Sequence, residues 1–217
     1  MRLRRPATPT RDGARPPEER SLSDARFIGS FPQADISLDP PLPEVALLGR
    51  SNVGKSSLLN AVAGRRIAKT SRTPGKTRML NVYLVSGAWC TTHHAFYFLD
   101  LPGYGYARAS QADRAAFGRL IAHTLARPRC SGVLWLLDLR RDPSADDRAM
   151  QDLFAARETP VLAVLTKSDT LSRREGAQRE RGLQAALALD DDQLIATSVR
   201  EGTGIGELRE AIGRLVG

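Results

Sequence analysis

Apolar positions recur along this chain at two different spacings, and the switches between them outline a fold before any motif is considered. From Pro43 onward, short apolar runs occupy Val45–Leu48, Leu80–Val85, Ala95–Leu99, Val133–Leu137, Val161–Leu165 and Leu194–Ala196. Short continuous runs rich in Val, Leu and aromatics suit strands buried on both faces. Between them, apolar residues return every three or four positions and predict helices near 56–63, 111–126, 145–157, 173–189 and 205–216. Strands alternating with helices predict an α/β, three-layer architecture: a mainly parallel six-stranded sheet with helices on both faces. Phe27-Ile28-Gly29 is a further candidate, a short edge strand. Residues 1–22 are rich in Arg, Pro and Glu with scarcely any apolar positions, and predict a disordered basic tail ahead of a single domain over 23–217.

Composition narrows the class. Hydrophobic residues make up 41% of 217, enough for a core. No run approaches the roughly 18 apolar residues of a membrane span. The basic start, Met1-Arg2-Leu3-Arg4-Arg5, has no apolar stretch behind it, and Asp12, Glu18 and Glu19 argue against a transit peptide, so a cytoplasmic protein is expected. Cys90 and Cys130 lie in no metal-ligand spacing and predict reduced thiols. His93-His94 predicts ordinary surface. The net charge of +8 points to a polyanionic partner or to a merely basic soluble protein. Lysine supplies only four of the 32 basic residues (Lys55, Lys69, Lys76 and Lys167). Two of these fall in motifs where a guanidinium would have the wrong shape.

Chemistry begins at the end of the first run. Gly49-Arg50-Ser51-Asn52-Val53-Gly54-Lys55-Ser56 is a complete G-x-x-x-x-G-K-S, followed by Ser57 and a helical pattern. The glycines allow backbone amides to close around phosphate, and the next helix adds its positive end. Lys55 is expected on the β- and γ-phosphates and the Ser56 hydroxyl on Mg²⁺. Asp100-Leu101-Pro102-Gly103 closes the Ala95–Leu99 run, where a carboxylate can hold Mg²⁺ through water and a glycine amide can meet the γ-phosphate. The intervening Thr73-Pro74-Gly75-Lys76-Thr77-Arg78 is polar. Its Thr77 is the candidate hydroxyl that binds Mg²⁺ only in the triphosphate state, with Thr73 as the alternative. Loops that order around triphosphate and relax afterwards make a switch.

The base is read elsewhere. Thr166-Lys167-Ser168-Asp169 follows Val161–Leu165, and the Asp169 carboxylate can accept from both N1–H and the 2-amino group of guanine. Adenine offers neither donor there. Charge-assisted hydrogen bonds contribute roughly 1.5–3 kcal/mol each, so guanine is strongly preferred. The Lys167 stem can cover the base plane, and the Thr197-Ser198-Val199 backbone can meet guanine O6.

These elements, in this order, resemble the small Ras-like GTPase fold over about residues 26–217. Leu42 to Asn60, then Pro74-Gly75-Lys76-Thr77, Asp100-Leu101-Pro102-Gly103-Tyr104-Gly105-Tyr106-Ala107 and Thr166–Asp169, are similar to the bacterial EngB family. The resemblance implies a Mg²⁺-dependent switch that turns GTP into GDP during maturation of the large ribosomal subunit, with a link to cell division and septum formation. Three departures stand out. Thr170 replaces a lysine usual in the family, which loosens the base corner. Thr166 replaces the asparagine of most GTPases, as the family itself does. Tyr104 replaces the water-orienting glutamine of Ras-type enzymes, which predicts slow turnover. Asn52 in the phosphate loop implies, by the same resemblance, a K⁺ site that stimulates hydrolysis. Arg65, Arg66, Lys69, Arg72, Lys76 and Arg78 follow one another without an acidic residue and suggest contact with ribosomal RNA. A monomer is expected. Two rivals stay open: an RNA-binding adaptor in which nucleotide is mainly structural, and an ATP-dependent enzyme, against which Thr166–Asp169 argues.

Overall fold

The computed structural model describes residues 24–69, 79–86, 95–105 and 110–217. Strands and helices alternate along them: β1 (Asp24–Phe31), β2 (Glu44–Gly49), α1 (Lys55–Ala63), β3 (Leu80–Ser86), β4 (Phe96–Asp100), α2 (Gln111–Leu125), β5 (Cys130–Asp138), α3 (Ala145–Ala155), β6 (Val161–Thr166), α4 (Arg173–Ala186), β7 (Leu194–Ala196) and α5 (Ile205–Val216). The sheet order is β1-β3-β4-β2-β5-β6-β7. Strands β4, β2, β5, β6 and β7 run parallel. Strand β3 is antiparallel to β4, and β1 antiparallel to β3. The sheet therefore has seven strands rather than six. The seventh is the edge strand hinted at by Phe27-Ile28-Gly29, extended to eight residues. A register shift between Phe27 and Gly29 disrupts its alternation, which is why its sequence reads so weakly.

Each continuous apolar run serves two cores. In β2, Val45 and Leu47 face the layer of α1 and α5, while Ala46 and Leu48 face the layer of α2, α3 and α4. Strand β5 repeats this, with Leu134 and Leu136 on the first side and Val133, Trp135 and Leu137 on the second. Each fully buried large side chain contributes about 1.5–3 kcal/mol. At the opposite end of β2 from the loops, Arg127 donates to both carboxylate oxygens of buried Glu44 and to the carbonyls of Ala34 and Ile36. That clamp fixes where β2 begins. No helix among the described residues is long and apolar enough to cross a membrane.

Helix starts differ in a way that matters for the site. Helices α2, α3 and α4 open with reciprocal serine–acid caps: Ser110 with Asp113, Ser144 with Asp147, and Ser172 with Glu175. Such caps satisfy first-turn amides. Helix α1 opens on Gly54 with no side-chain cap and no acid in its first turn. Its positive end is left for something outside the helix.

Candidate functional site

The phosphate loop joins β2 to α1, and its glycines are required for different reasons. A Cβ on Gly49 would lie 2.9 Å from both the Leu136 carbonyl oxygen and Val53 Cγ1, so the strand end has no room for a side chain. Gly54 has open space but sits at φ +112, where L side chains are strained. Asn52 also takes a left-handed conformation, φ 64, which asparagine tolerates better than most residues. The loop is tied down from the base side. Thr166 Oγ1 lies 2.8 Å from the Val53 carbonyl and 3.2 Å from that of Leu137, and Lys167 Nζ donates to the Asn52 carbonyl at 3.0 Å.

Those ties come from a corner at the ends of β6 and β7. Lys167 adopts φ 65, a conformation that costs a non-glycine residue about 1–3 kcal/mol and persists only where its surroundings hold it. They do: its ammonium also meets Asp138 Oδ2 at 2.9 Å, at the end of β5. Burial opposes ionisation of Asp138, but hydrogen bonds from Arg140 and Lys167 outweigh it and hold the carboxyl well below the usual range. Ser168 N–H donates to the Thr197 carbonyl at 3.1 Å, and Thr197 N–H to that of Leu165 at 2.7 Å. Ser198 Oγ donates to Asp169 Oδ1 at 2.7 Å while accepting from Glu201 N–H. Asp169 is thus aimed by a hydroxyl from the neighbouring loop. Thr170 donates to the Lys167 carbonyl, closing a short 3-10 turn over Ser168–Thr170.

The third wall is the end of β4. Asp100 is buried, and its Oδ1 has no hydrogen-bond partner. Lys55 Nζ stands 3.9 Å from that oxygen. Desolvation pushes the Asp100 pKa up against the pull of Lys55 and a hydrogen bond from Asn81. A buried carboxylate oxygen with no donor, beside uncapped α1, fits a hard cation shared with phosphate. Gly103 lies flush on the phosphate loop, where a Cβ would come within 2.9 Å of Ser51 N, Cα and Oγ. Tyr104 continues the contact as a short parallel bridge to Arg50. Its N–H donates to the Gly49 carbonyl at 3.3 Å, and its carbonyl accepts from Ser51 N–H at 3.0 Å.

The fold brings residues 49–57, 100–103, 166–169 and 197–199 to one end of the sheet, at the carboxyl ends of β2, β4, β6 and β7. Several predicted residues have side chains turned into the core. Val53, Leu101 and Thr197 are buried in the fold, and the Thr197 hydroxyl is hydrogen-bonded to the Leu165 carbonyl. Val199 is exposed. Thr73, Pro74, Gly75, Lys76, Thr77 and Arg78 lie outside the described residues, as do Cys90, His93, His94 and the tail. Burial pushes the Cys130 thiol up to about 11, in keeping with an inert structural residue. Sequence reasoning missed Asp138, Trp135 and Asp147. Asp138 ends an apolar strand just as Asp100 does, and that shared position was the signal available for it.

A phosphate loop after β2, a carboxylate at the end of β4 and a guanine-type corner after β6 define a P-loop GTPase, a protein that binds GTP and GDP and hydrolyses GTP. A family described as "50S ribosome-binding GTPase" matches residues 44–167. The chain is 41% identical over 177 residues to a probable GTP-binding protein EngB of Syntrophomonas wolfei, covering 81% of this chain and 88% of that one. A probable GTP-binding protein EngB of Gemmatimonas aurantiaca is 42% identical, covering 81% and 83%. The chain belongs to the EngB family. Among solved structures, an Aquifex aeolicus Era variant bound to GDP.AlF4- aligns with a TM-score of 0.67 at 22% identity, over 81% of this chain and 57% of that longer one. A probable GTP-binding protein engB aligns at 0.59 and 16% identity, over 80% and 98%. These two share the fold.

Proposed function

We propose that this GTPase is a Mg²⁺-dependent timer in assembly of the large ribosomal subunit, alternating between GTP- and GDP-bound states in the cytoplasm. In this reading the amides of residues 52–57 cradle the phosphates and Lys55 reaches the β- and γ-oxygens. Asp169 accepts from guanine N1–H and the 2-amino group, the Lys167 stem covers the base, and the loop of Ser198 and Val199 meets O6. Ser56, Thr77 and, through water, Asp100 would hold Mg²⁺, which supplies neutralisation of charge on the β- and γ-phosphate oxygens. The unpartnered Asp100 Oδ1 is the observation that supports this assignment. Gly103 N–H meets the γ-phosphate.

Turnover is slow because the position after Gly103 carries no amide to orient water. The Tyr104 hydroxyl is committed instead to buried partners. Asn52 would help hold a K⁺, which would supply positive charge in place of a missing cationic finger. Single-turnover hydrolysis should run faster in K⁺ than in Na⁺ buffer, and equal rates would remove the K⁺ assignment.

The ribosomal partner rests on charge. Arg65 and Arg66 follow Gly64 at the end of α1 and are exposed, and Lys69 is exposed beyond them. Ribosomal RNA on this segment would release counterions and make association steeply salt-dependent. Sedimentation with ribosomal subunits is the test, run with a GTP analogue, with GDP and without nucleotide. Binding to the large subunit that follows nucleotide state is expected. Binding indifferent to nucleotide would favour the adaptor reading. A link to cell division and septum formation belongs to the same reading, and large-subunit precursors that accumulate on depletion before septation fails would make that link indirect.

A further inference from the structure

Behind the Asp100–Gly105 strap lies a buried polar chain that the reading above does not use. Trp135 Nε1–H donates to the Tyr104 hydroxyl at 2.7 Å, and that hydroxyl donates to Asp147 Oδ1 at 2.8 Å. The three residues are 0%, 6% and 2% exposed. The other Asp147 oxygen accepts from Ser144 N–H and Oγ, the cap of α3, and lies 3.7 Å from Arg50 Nη1. One carboxylate therefore grips the strap through Tyr104, the phosphate loop through Arg50, and the start of α3. Burial, with the Asp147 carboxylate beside it, pushes the Tyr104 phenol above its already high ordinary value.

We propose that Asp147 is a positioning residue for the γ-phosphate: through Tyr104 it latches the strap to the phosphate loop and so fixes the Gly103 amide. The path is short. The Tyr104 ring is anchored below while its backbone is bonded to Gly49 and Ser51, and Gly103 is the residue just before it. Arg50, in the phosphate loop, brings its guanidinium to 3.7 Å from Asp147. A tyrosine at this point is then a buried anchor in place of a water-orienting amide. GDP, lacking the γ-phosphate, does not feel the latch.

The inference rests on the γ-phosphate placement proposed above. The experiment is titration of the full chain with Mg²⁺ and fluorescent GDP or a non-hydrolysable GTP analogue. Tyr104→Phe keeps the ring and loses the hydroxyl. It should weaken the analogue about tenfold, as expected for one buried hydrogen bond to a charged group, and leave GDP within about twofold. Retained GDP binding also reports that the variant is folded. Trp135→Phe should move the same ratio in the same direction by less, and it decides the matter if Tyr104→Phe does not fold. Asp147→Ala combined with Tyr104→Phe should shift the ratio no further than the larger single change, because both cut one chain. A ratio unchanged, or shifted toward the triphosphate, overturns the latch. Gly103→Ala separates the two readings. If it leaves analogue affinity intact, the γ-phosphate placement fails. If it lowers that affinity while Tyr104→Phe does not, the latch alone fails.

Discussion

The corner at the ends of β5 and β6 and the wall at the end of β4 both present a carboxylate from a strand end, but they are built on opposite electrostatic terms. At the corner, Asp138 faces Lys167 and Arg140, and Asp169 is aimed by the Ser198 hydroxyl. Charges there are paired within the protein, so the geometry stands before any ligand arrives. At the wall, the Asp100 side chain is as enclosed as that of Asp138, yet it has one oxygen with no donor and a lysine only at 3.9 Å. Burial without a partner is unfavourable by itself. In the proposed reading, base recognition is set up in folding, whereas the Asp100 wall is completed only by the ion that would bind it.

Substitutions can break this contrast. The largest effect should come from Asp169→Asn, which loses two charge-assisted bonds, about 3–6 kcal/mol. GDP affinity should fall a hundredfold or more, and a xanthine nucleotide, with a carbonyl at C2, should bind the variant better than guanine, as competition assays would show. Asp100→Asn should split stability from function. Because its pKa is raised in the folded protein, the native state holds its proton where the unfolded state has lost it. Ligand-free stability should therefore decline as pH rises from the ordinary carboxylate range through the raised value. The variant should lack that decline and gain about 1–3 kcal/mol at neutral pH in denaturant titrations, while binding Mg²⁺·GTP more weakly. Asp138→Asn has the reverse sign. Its depressed pKa contributes stability above the ordinary range that is lost on acidification, so the variant should be less stable by about 1.5 kcal/mol near neutrality and lose roughly tenfold in GDP affinity. Ser198→Ala should be mildest, about 1 kcal/mol, read as a few-fold faster GDP release.

Both the corner and the wall were partly legible in the sequence: Asp169 and Asp100 stand in short motifs, whereas Asp138 does not. Thr166–Asp169 and Gly49–Ser56 are contiguous, so their chemistry can be read directly, and their strands announce themselves as apolar runs. Even so, the motif did not reveal that the Thr166 hydroxyl reaches the Val53 carbonyl across 113 positions. The latch was illegible for the same reason: Trp135 and Asp147 meet Tyr104 across 31 and 43 residues, and each has a plausible local role as core aromatic or helix cap. Strand direction was hidden as well. An apolar run looks alike in either sense, and only the chain path shows β3 returning antiparallel beside β4.

The indole of Trp135 gives this molecule a built-in optical gauge. It is fully enclosed, stacked edge-on against Phe154 at 5.5 Å, and its N–H is spent on one phenol. An indole so screened emits at short wavelength, and any movement that draws the phenol away changes what its excited dipole meets. With Trp89 replaced by phenylalanine, the emission colour of the unlabelled protein should follow strap movement as nucleotides exchange.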